Sequence, residues 1–370
     1  MPDPTRTGPL HCCHTAWKGT RLARPDDESS TNVTLADVAR RARVSPATAS
    51  RVINGSNKPV ADGLRERVLK AVADLRYVPN AHAQNLARAQ RSAVGVIVHD
   101  VSDPYFAEIT RGLQRVATEH GRLCIICNSY RDPDRELAYV DLLRAQQVAA
   151  IVLTGSGYHD VRFTRLLNAK LRAFERTGGR IAVIGRHKLA GDAVMPGNEQ
   201  GGYLAGAELY GLGHTRVGVV AGPKVLTTTT DRLAGFRRAA KEFGQTVAPR
   251  RVVYANFDRN SGAEATEELL DANPGLTAIA ALNDAMAVGV LAALRARKIQ
   301  VPADISVIGF DDMPIAQDIL PPLTTIRLGM PELGERAMSL ALGPPALEPR
   351  VEHLPAEIVH RESTAAPPAG

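Results

Sequence analysis

Arg51 lies on the outward side of a short helical pattern that begins at Ser45 and Pro46. A guanidinium group there can donate two hydrogen bonds to the O6 and N7 atoms of guanine, which favours that base by about 1–3 kcal/mol. Pro46 and Ala47 share this side and can offer apolar contact to a thymine methyl group. The spacing predicts a helix that reads base edges in the major groove, although Arg51 could instead bind a phosphate or stay solvated.

A tight turn joins this pattern to an earlier one, which is how a helix-turn-helix presents its second helix to DNA. Thr34 is a candidate N-cap of the first helix, with Asp37 as its capping-box partner, and Ser45 can cap the second. A third amphipathic pattern, from about 62 to 75, completes a three-helix core. The candidate DNA-contacting residues of this unit are Thr34, Ser45, Pro46, Ala47, Thr48, Ser50, Arg51 and Asn54.

The segment after the third helix is typical of a short helix that needs partners in order to fold. Tyr77-Val78-Pro79-Asn80 ends the preceding pattern, and Asn80 can cap the following stretch, AHAQNLAR. This hinge helix is too short to be stable alone in water, so we expect it to fold on DNA and against a partner helix. Leu86 could insert into the minor groove as an apolar wedge, or it could pack in a dimer contact. The candidate DNA contacts here are Asn80, Gln84, Leu86 and Arg88.

The positive charge of the chain is concentrated in the same region. Residues 33–91 hold eleven lysine and arginine residues against four acidic ones, whereas the whole chain of 370 residues has a net charge of +6. The remainder of the chain is therefore close to neutral. A basic unit of this kind can neutralise DNA phosphates, although a solvated charged surface is the alternative.

From residue 94 onward, short apolar runs alternate with amphipathic stretches. This repetition predicts two doubly wound parallel sheets that are covered by helices on both faces. Ligands of such sheets bind beyond the carboxyl ends of the strands, so two facing sheets would form a cleft for a small molecule. The first series of runs comprises 94–99, 122–127, 149–153 and 180–185, and the second comprises 216–221, 251–255, 277–282 and 304–309.

Polar and aromatic residues follow these predicted strand ends. Carboxylates and amides bind hydroxyl groups through paired hydrogen bonds, and an aromatic ring can stack on the face of a sugar or a base. Asp284 and Asp311 could instead cap helices. Phe106 and Phe257 could belong to the core, and Arg232 could form a structural ion pair. The candidate effector-binding residues are Tyr105, Phe106, Asp132, Thr154, Arg186, Thr228, Arg232, Phe257, Asn283, Asp284 and Asp311.

The cysteines and the N-terminus disfavour several classes of protein. Four cysteines are too few for a disulfide scaffold, and Cys124 and Cys127 lie in a run that predicts a buried strand with the two side chains on opposite faces. His11-Cys12-Cys13-His14 could bind a metal, but a stray cluster in a disordered leader is favoured, and no cofactor is expected. The chain has no apolar run of eighteen residues and no apolar signal core, which indicates a cytoplasmic protein without membrane contact.

Residues 33–88 resemble the headpiece and hinge of the LacI/GalR family of bacterial transcription regulators. The matching motifs are Val44-Ser45, Ala47-Thr48, Ser50-Arg51-Val52-Ile53-Asn54 and Tyr77-Val78-Pro79-Asn80 through Leu86. Arg43 stands where the turn of the family usually has glycine. The resemblance implies base reading by Pro46, Ala47 and Arg51, and minor-groove intercalation by Leu86.

The resemblance continues to about Arg361, most clearly in NDAMAVGVLAALRARKIQVPADISVIGFDDMPIA, and implies the fold of periplasmic sugar-binding proteins for the larger part. The whole chain is then an α-helical headpiece followed by an α/β domain of two subdomains. The expected boundaries are a leader at 1–32, a helix-turn-helix at 33–78, a hinge at 79–91, an effector-binding and dimerisation domain at 92–363 and a tail at 364–370. Within that domain, the chain should cross between the subdomains near 194, 327 and 347.

The function implied is a repressor of carbohydrate-utilisation genes that binds a pseudo-palindromic operator as a homodimer. A small-molecule effector, with a sugar as the first candidate, would control its affinity for double-stranded DNA. The alternatives are a regulator that responds to a nucleobase or nucleoside, and a solute-binding protein that does not bind DNA. An enzyme is disfavoured, because the sequence has no GxSxG, GxGxxG or Walker motif.

Overall fold

The computed structural model describes residues 33–54, 60–78, 92–189 and 191–368. The chain divides into two compact units, Met1–Ala87 and Arg88–Gly370. Several predictions lie outside the described residues: the disordered leader with its histidine and cysteine cluster, and the hinge helix with Asn80, Gln84, Leu86 and Arg88.

The smaller unit is a bundle of three helices, as its apolar spacing predicts. The helices are α1 Leu35–Ala42, α2 Pro46–Asn54 and α3 Asp62–Asp74. Their shared core is made of small and branched side chains: Val38, Ala39, Ala42, Ala49, Val68 and Ala71. Thr34 and Asp37 form the predicted capping box of α1, and the Ser45 Oγ accepts a hydrogen bond of 3.1 Å from the Thr48 backbone N–H at the start of α2.

The turn between α1 and α2 depends on an arginine in an unusual conformation. Arg43 ends α1 with φ 55° and ψ 49°, in the left-handed region. Glycine adopts this region without steric cost, whereas another residue loses about 1–2 kcal/mol. The guanidinium of Arg67, on α3, donates hydrogen bonds to the carbonyl oxygens of Ala42 and Arg43. Arg67 thereby satisfies acceptors at the end of α1 that have no partner within the helix.

The larger unit begins with a six-stranded sheet in which all neighbouring strands are parallel. The strands are β1 Ala93–Val98, β2 Leu123–Asn128, β3 Ala150–Thr154, β4 Arg180–Ile184, β5 Asp192–Pro196 and β11 Val351–Leu354, in the order β11-β5-β4-β3-β1-β2. The associated helices are α4 Pro104–Glu119, α5 Pro133–Ala145, α6 Val161–Glu175 and α11 Met330–Leu342. This sheet and its helices form the first subdomain.

The second subdomain has a parallel sheet of four strands in the order β7-β6-β8-β9. The strands are β6 Val217–Ala221, β7 Val252–Tyr254, β8 Ala278–Ala281 and β9 Ser306–Ile308. The helices are α7 Asn198–Gly211, α8 Thr227–Glu242, α9 Arg259–Ala272 and α10 Asp284–Ala296, with short 3₁₀ turns at Pro249–Arg251 and Pro314–Gln317. The predicted fold class, a helix-turn-helix followed by two parallel-sheet subdomains, is confirmed.

The chain passes between the subdomains three times. The first passage follows β5, the second follows β10 Thr325–Arg327, and the third lies between β11 and β12 Glu357–Val359. The third was expected near 347 but comes after Leu354, because Val351–Leu354 first pairs in parallel with β5. β10 and β12 pair with each other in the antiparallel sense.

The C-terminal segment is attached to the second sheet. The carbonyl of Ser363 accepts a hydrogen bond of 2.8 Å from the Val307 backbone N–H, and that of Ala365 accepts one of 3.0 Å from the Ser306 hydroxyl. The expected tail at 364–370 thus begins with residues that are tied to β9.

The two cysteines of the apolar run lie on β2, which is an edge strand and not a buried one. Leu123 on this strand is 73% exposed. An edge strand has a neighbour on one side only, and an apolar run does not reveal this position. Cys124 and Cys127 contact different hydrophobic clusters, one on each face of the sheet, as their spacing predicts.

Candidate functional site

The outward face of α2 carries the residues expected to read DNA. Pro46, Ala47 and Arg51 are exposed, whereas Ala49 is fully buried against α1 and α3. The helix begins with proline at its first position, where the missing N–H costs no hydrogen bond. The face of α2 that does not pack on the core therefore presents one guanidinium group beside two small apolar side chains.

The other candidates in this unit form hydrogen bonds at the starts of α1 and α2 or along the side of α2. Thr34 Oγ1 donates a hydrogen bond of 2.6 Å to Asp37, and the hydroxyls of Ser45 and Thr48 are 2.9 Å apart. Ser50 and Asn54 are partly buried. The Asn54 Nδ2 donates a hydrogen bond of 3.0 Å to the Ser50 Oγ.

In the larger unit, a cavity lies where the carboxyl ends of the strands of both sheets face each other. The empty space at this site, open solvent at its mouth included, is about 670 Å³. Eight of the eleven candidate effector-binding residues line it: Tyr105, Phe106, Thr154, Thr228, Arg232, Phe257, Asn283 and Asp311. Asp132, Arg186 and Asp284 do not.

Arg232 and Asp311 form a buried ion pair in the wall of the cavity. The distance from Arg232 Nη2 to Asp311 Oδ1 is 2.7 Å, and the side chains are 2% and 3% exposed. Arg232 also donates to Asn198 Oδ1 at 2.9 Å and to the Leu282 carbonyl at 2.6 Å. Burial raises the pKa of Asp311 to about 6, although the charge of Arg232 lowers it in part. The pair fixes where a ligand can meet a carboxylate.

Asp284 lies behind this wall, with no exposed surface. Its carboxyl oxygens accept hydrogen bonds from Thr325 Oγ1 at 2.6 Å and from the Met313 backbone N–H at 2.7 Å. Burial, followed by the negative charge of Asp311, raises its pKa to about 8. The N-cap of α10 is Asn283, whose Oδ1 accepts from the Met286 N–H at 2.8 Å. Asp284 therefore joins α10 to the loop at Met313 and to β10.

Asp132 and Arg186 also have protein partners that keep them out of the cavity wall. Asp132 is the N-cap of α5 and accepts hydrogen bonds from the backbone N–H groups of Asp134 and Arg135. Arg186 Nε donates to Asp231 Oδ2, on the second subdomain, at 3.0 Å. A sequence shows that these groups follow a strand, but it does not show which neighbour they meet.

Main-chain hydrogen bonds also join the two subdomains across the cleft. Tyr158 and Leu226 form an isolated antiparallel β-bridge, and the Thr227 N–H donates to the Gly157 carbonyl at 2.9 Å. Tyr158 follows β3 of the first subdomain, whereas Leu226 and Thr227 belong to the start of α8 in the second. We call this bridge together with the Arg186–Asp231 pair the cross-cleft clamp.

The comparisons with known proteins agree with both halves of this architecture. The model of bacterial regulatory proteins of the lacI family matches residues 34–80, and that of the periplasmic-binding-protein-like domain matches residues 207–364. The HTH-type transcriptional regulator DegA of Bacillus subtilis (strain 168) is 33% identical over 342 residues, which cover 90% of this chain and 98% of DegA. The chain belongs to the LacI family.

Two solved structures of related proteins extend the comparison. The Lac repressor dimer bound to operator and to the anti-inducer ONPF has a TM-score of 0.79 at 28% identity, and the match covers 90% of this chain and 99% of that one. A complex of the transcriptional regulator CelR with cellobiose has a TM-score of 0.67 at 29% identity, with the same coverage. This LacI-family protein is accordingly a DNA-binding transcription regulator and not an enzyme. None of its described helices is long and apolar enough to cross a membrane.

The cavity of the regulator contains residues that the sequence did not single out. Four of them follow the ends of strands β1 to β4, namely His99, Ser129, Ser156 and His187. Because ligands of parallel sheets bind beyond the carboxyl ends of the strands, their position in the sequence could have identified them. Glu136 is different, because it lies in the first turn of α5 and carries no such signal. The complete additional set is Ile97, His99, Ser129, Glu136, Gly155, Ser156, Tyr158, His187 and Leu226. Asp103 and Arg131, which the sequence places after predicted strand ends beside Tyr105 and Asp132, line the cavity as well.

Several ionisable groups among these additional cavity residues have pKa values that are shifted from the ordinary ones. Burial, followed by the positive charge of Arg131, lowers the pKa of His99 to about 4. Burial raises the pKa of Asp103 and raises that of Glu136 to about 7. Arg131 Nη1 donates to the Asn256 carbonyl at 2.9 Å, across the cleft. At neutral pH the first-subdomain wall thus contains a neutral imidazole and a carboxyl group that is partly protonated.

Proposed function

We propose that the protein is a repressor of carbohydrate-utilisation genes that binds a pseudo-palindromic operator as a homodimer. A sugar that occupies the cavity between the subdomains controls its affinity for the operator. The observation that carries this proposal is the cavity itself, because its wall combines carboxylates, an amide and aromatic rings from both sheets. A regulator with such a cavity can join ligand binding to DNA binding within one chain.

The chemistry of the wall supports a hydroxylated ligand. Asp311 is held in place by Arg232, and a fixed carboxylate can accept hydrogen bonds from neighbouring hydroxyl groups. Phe106 and Phe257 are aromatic side chains of the wall, and the C–H side of a sugar can pack against aromatic rings. The related regulator CelR was solved with cellobiose, so a member of the family holds a sugar.

The exposed face of α2 supports sequence-specific DNA binding. Arg51 supplies a guanidinium for guanine, and Pro46 and Ala47 supply apolar contact. We propose that Thr34, Ser45, Thr48, Ser50 and Asn54 complete this interface. One such helix spans few base pairs, so two units related by a two-fold axis would read two half-sites.

Selection from a random duplex pool followed by fluorescence anisotropy tests this function. The purified full chain should enrich a pseudo-palindrome, and one sugar from a panel of cellobiose, D-galactose and D-ribose should change its operator affinity about 5- to 150-fold, the usual range for coupled sites. Equal affinity for all duplexes would contradict sequence-specific binding. A response to nucleosides with none to the sugars would contradict the proposed effector class.

A further inference from the structure

Glu136 lies in the wall of the cavity without a protein partner. Its side chain belongs to a residue that is only 6% exposed, in the first turn of α5. Among the residues that the structure describes, no group donates a hydrogen bond to its carboxyl, and no cation lies within 4.0 Å of it. A carboxyl group with so little access to water loses part of its hydration, and no protein group among the described residues replaces that part.

The other carboxyl groups of the wall have such compensation. Asp311 is paired with Arg232, and Asp103 accepts a hydrogen bond of 3.0 Å from the Tyr105 backbone N–H. Glu136 is therefore the carboxyl of this cavity that a ligand is best placed to satisfy. Any hydroxyl group within reach would gain an acceptor that the protein leaves free.

The ionisable groups around Glu136 come from every segment that borders this wall. They are His99 after β1, Asp103 at the start of α4, Arg131 and Asp132 in the segment before α5, Tyr158 after β3 and His187 after β4. Burial, rather than any one of these groups, is what raises the pKa of Glu136 to about 7. The position in the first turn of α5 favours the ionised form to some extent, because the helix dipole is positive there.

We propose that Glu136 is an effector-binding residue that accepts a hydrogen bond from a ligand hydroxyl as a carboxylate, so that binding of a neutral sugar releases a proton. This inference rests on the proposed function, since it requires that a sugar occupies the cavity. The proton leaves the Glu136 carboxyl for the solvent, and no covalent bond of the ligand changes. A hydrogen bond to an ionised acceptor is about twice as strong as one to a neutral acceptor, so the ligand favours the deprotonated form.

The direction of the pH effect follows from this preference. In the free protein Glu136 is protonated below about pH 7, and that proton must be lost before the stronger hydrogen bond forms. Affinity for the sugar should therefore rise by about tenfold from pH 6 to pH 8 and level off above that. At pH 6 almost one proton should be released for each sugar bound.

Isothermal titration calorimetry of the full chain tests the inference. The ligand is the sugar among cellobiose, D-galactose and D-ribose that changes operator binding. At pH 6 and again at pH 8, the binding enthalpy is measured in two buffers of different ionisation enthalpy, which gives the number of protons released. The Glu136→Gln variant keeps the size and the hydrogen-bonding oxygen but cannot ionise. Asp134→Asn, an exposed acid in the same turn of α5, is the matched control.

The wild type and Asp134→Asn should both show proton release at pH 6 and the tenfold gain in affinity toward pH 8. Glu136→Gln should show neither and should bind about a hundredfold more weakly at pH 8, because release of almost one proton at pH 6 requires that the neutral side chain binds the sugar that much more weakly than the carboxylate does. A sugar that binds the wild type without proton release, or a Glu136→Gln variant with unchanged pH dependence, overturns the inference while the proposed function stands. If no sugar of the panel binds the wild type, the proposed function fails, and this inference fails with it.

Discussion

Two buried residues of the same type can differ in pKa because their partners differ. Asp284 and Asp311 are both buried aspartates near the end of the second sheet, yet only Asp311 has an arginine partner. The pKa of Asp311 is raised to about 6, whereas that of Asp284 is raised to about 8. Asp284 is consequently neutral at pH 7, and its contribution to stability depends on pH.

We predict that Asp284→Asn removes part of the pH dependence of stability. The unfolded chain ionises Asp284 near the ordinary value of 3.8, and the folded chain does so near 8. Between these values the folded state holds the extra proton, so stability falls as pH rises. Thermal unfolding at pH 5 and pH 8 should give a smaller loss of Tm for the asparagine variant than for the wild type.

The exposed Asp318 provides the control for that measurement. Its asparagine variant should keep the pH dependence of the wild type, because the substitution leaves the buried carboxyl of Asp284 in place. Parallel Tm curves for Asp284→Asn and the wild type would show that Asp284 is ionised in the folded protein.

At the level of elements, the sequence predicted the strands of the two repeated βα series and missed β5, β10, β11 and β12. β1, β3 and β6 are continuous apolar runs, because both of their faces are covered. β5 alternates between buried and partly buried residues, and β10 has three residues only. Their pairing is decided by strands far away in sequence, such as Val351–Leu354 beside β5. The local sequence pattern therefore does not predict these strands.

The candidate site, like the strands, could be predicted where a local pattern decides it and could not be predicted where distant partners decide it. Residues that follow strand ends gather at one edge of a parallel sheet, which is why Tyr105, Thr154 and Phe257 line the cavity. Arg186 also follows a strand, but it pairs with Asp231 on the other subdomain. Ion pairs between distant elements require the tertiary fold, so a sequence cannot distinguish a ligand contact from a clamp.

The cross-cleft clamp should contribute to the affinity of the closed cleft for its ligand. Arg186→Ala and Asp231→Ala should each weaken sugar binding about two- to fivefold, because a partly exposed ion pair contributes at most about 1 kcal/mol to the closed cleft. The double variant should be no weaker than either single variant, since both remove the same interaction. Calorimetric Kd values for the four proteins check this, with hydrogen exchange of residues 155–160 as a measure of opening.

Arg135→Ala is the matched control for the clamp, because Arg135 pairs with Asp132 within the first subdomain. That variant should bind the sugar like the wild type. If Arg186→Ala weakened binding while Asp231→Ala did not, Arg186 would act on the ligand directly, and the clamp would have no part in closure.

For the whole molecule, the distribution of charge separates DNA binding from ligand binding. The eleven basic residues of 33–91 lie in and next to the helix-turn-helix, where they can attract any duplex. The larger part is nearly neutral, as suits a region that encloses a small ligand. Attraction to DNA in general and preference for one sequence therefore have different physical origins, and mutations should separate them.

We predict that Arg51→Ala reduces the preference for the selected operator over a scrambled duplex by about 5- to 150-fold, the loss expected for one bidentate guanine contact. Binding to the scrambled duplex, and its steep decline with salt, should remain, because the phosphate contacts are intact. Arg65→Ala, at an exposed arginine on α3, should instead leave the preference unchanged. Anisotropy titrations on both duplexes at several salt concentrations distinguish these effects. An Arg51→Ala variant that weakened both duplexes equally would make Arg51 a phosphate contact, and base reading would then have to come from Pro46 and Ala47 alone or from outside α2.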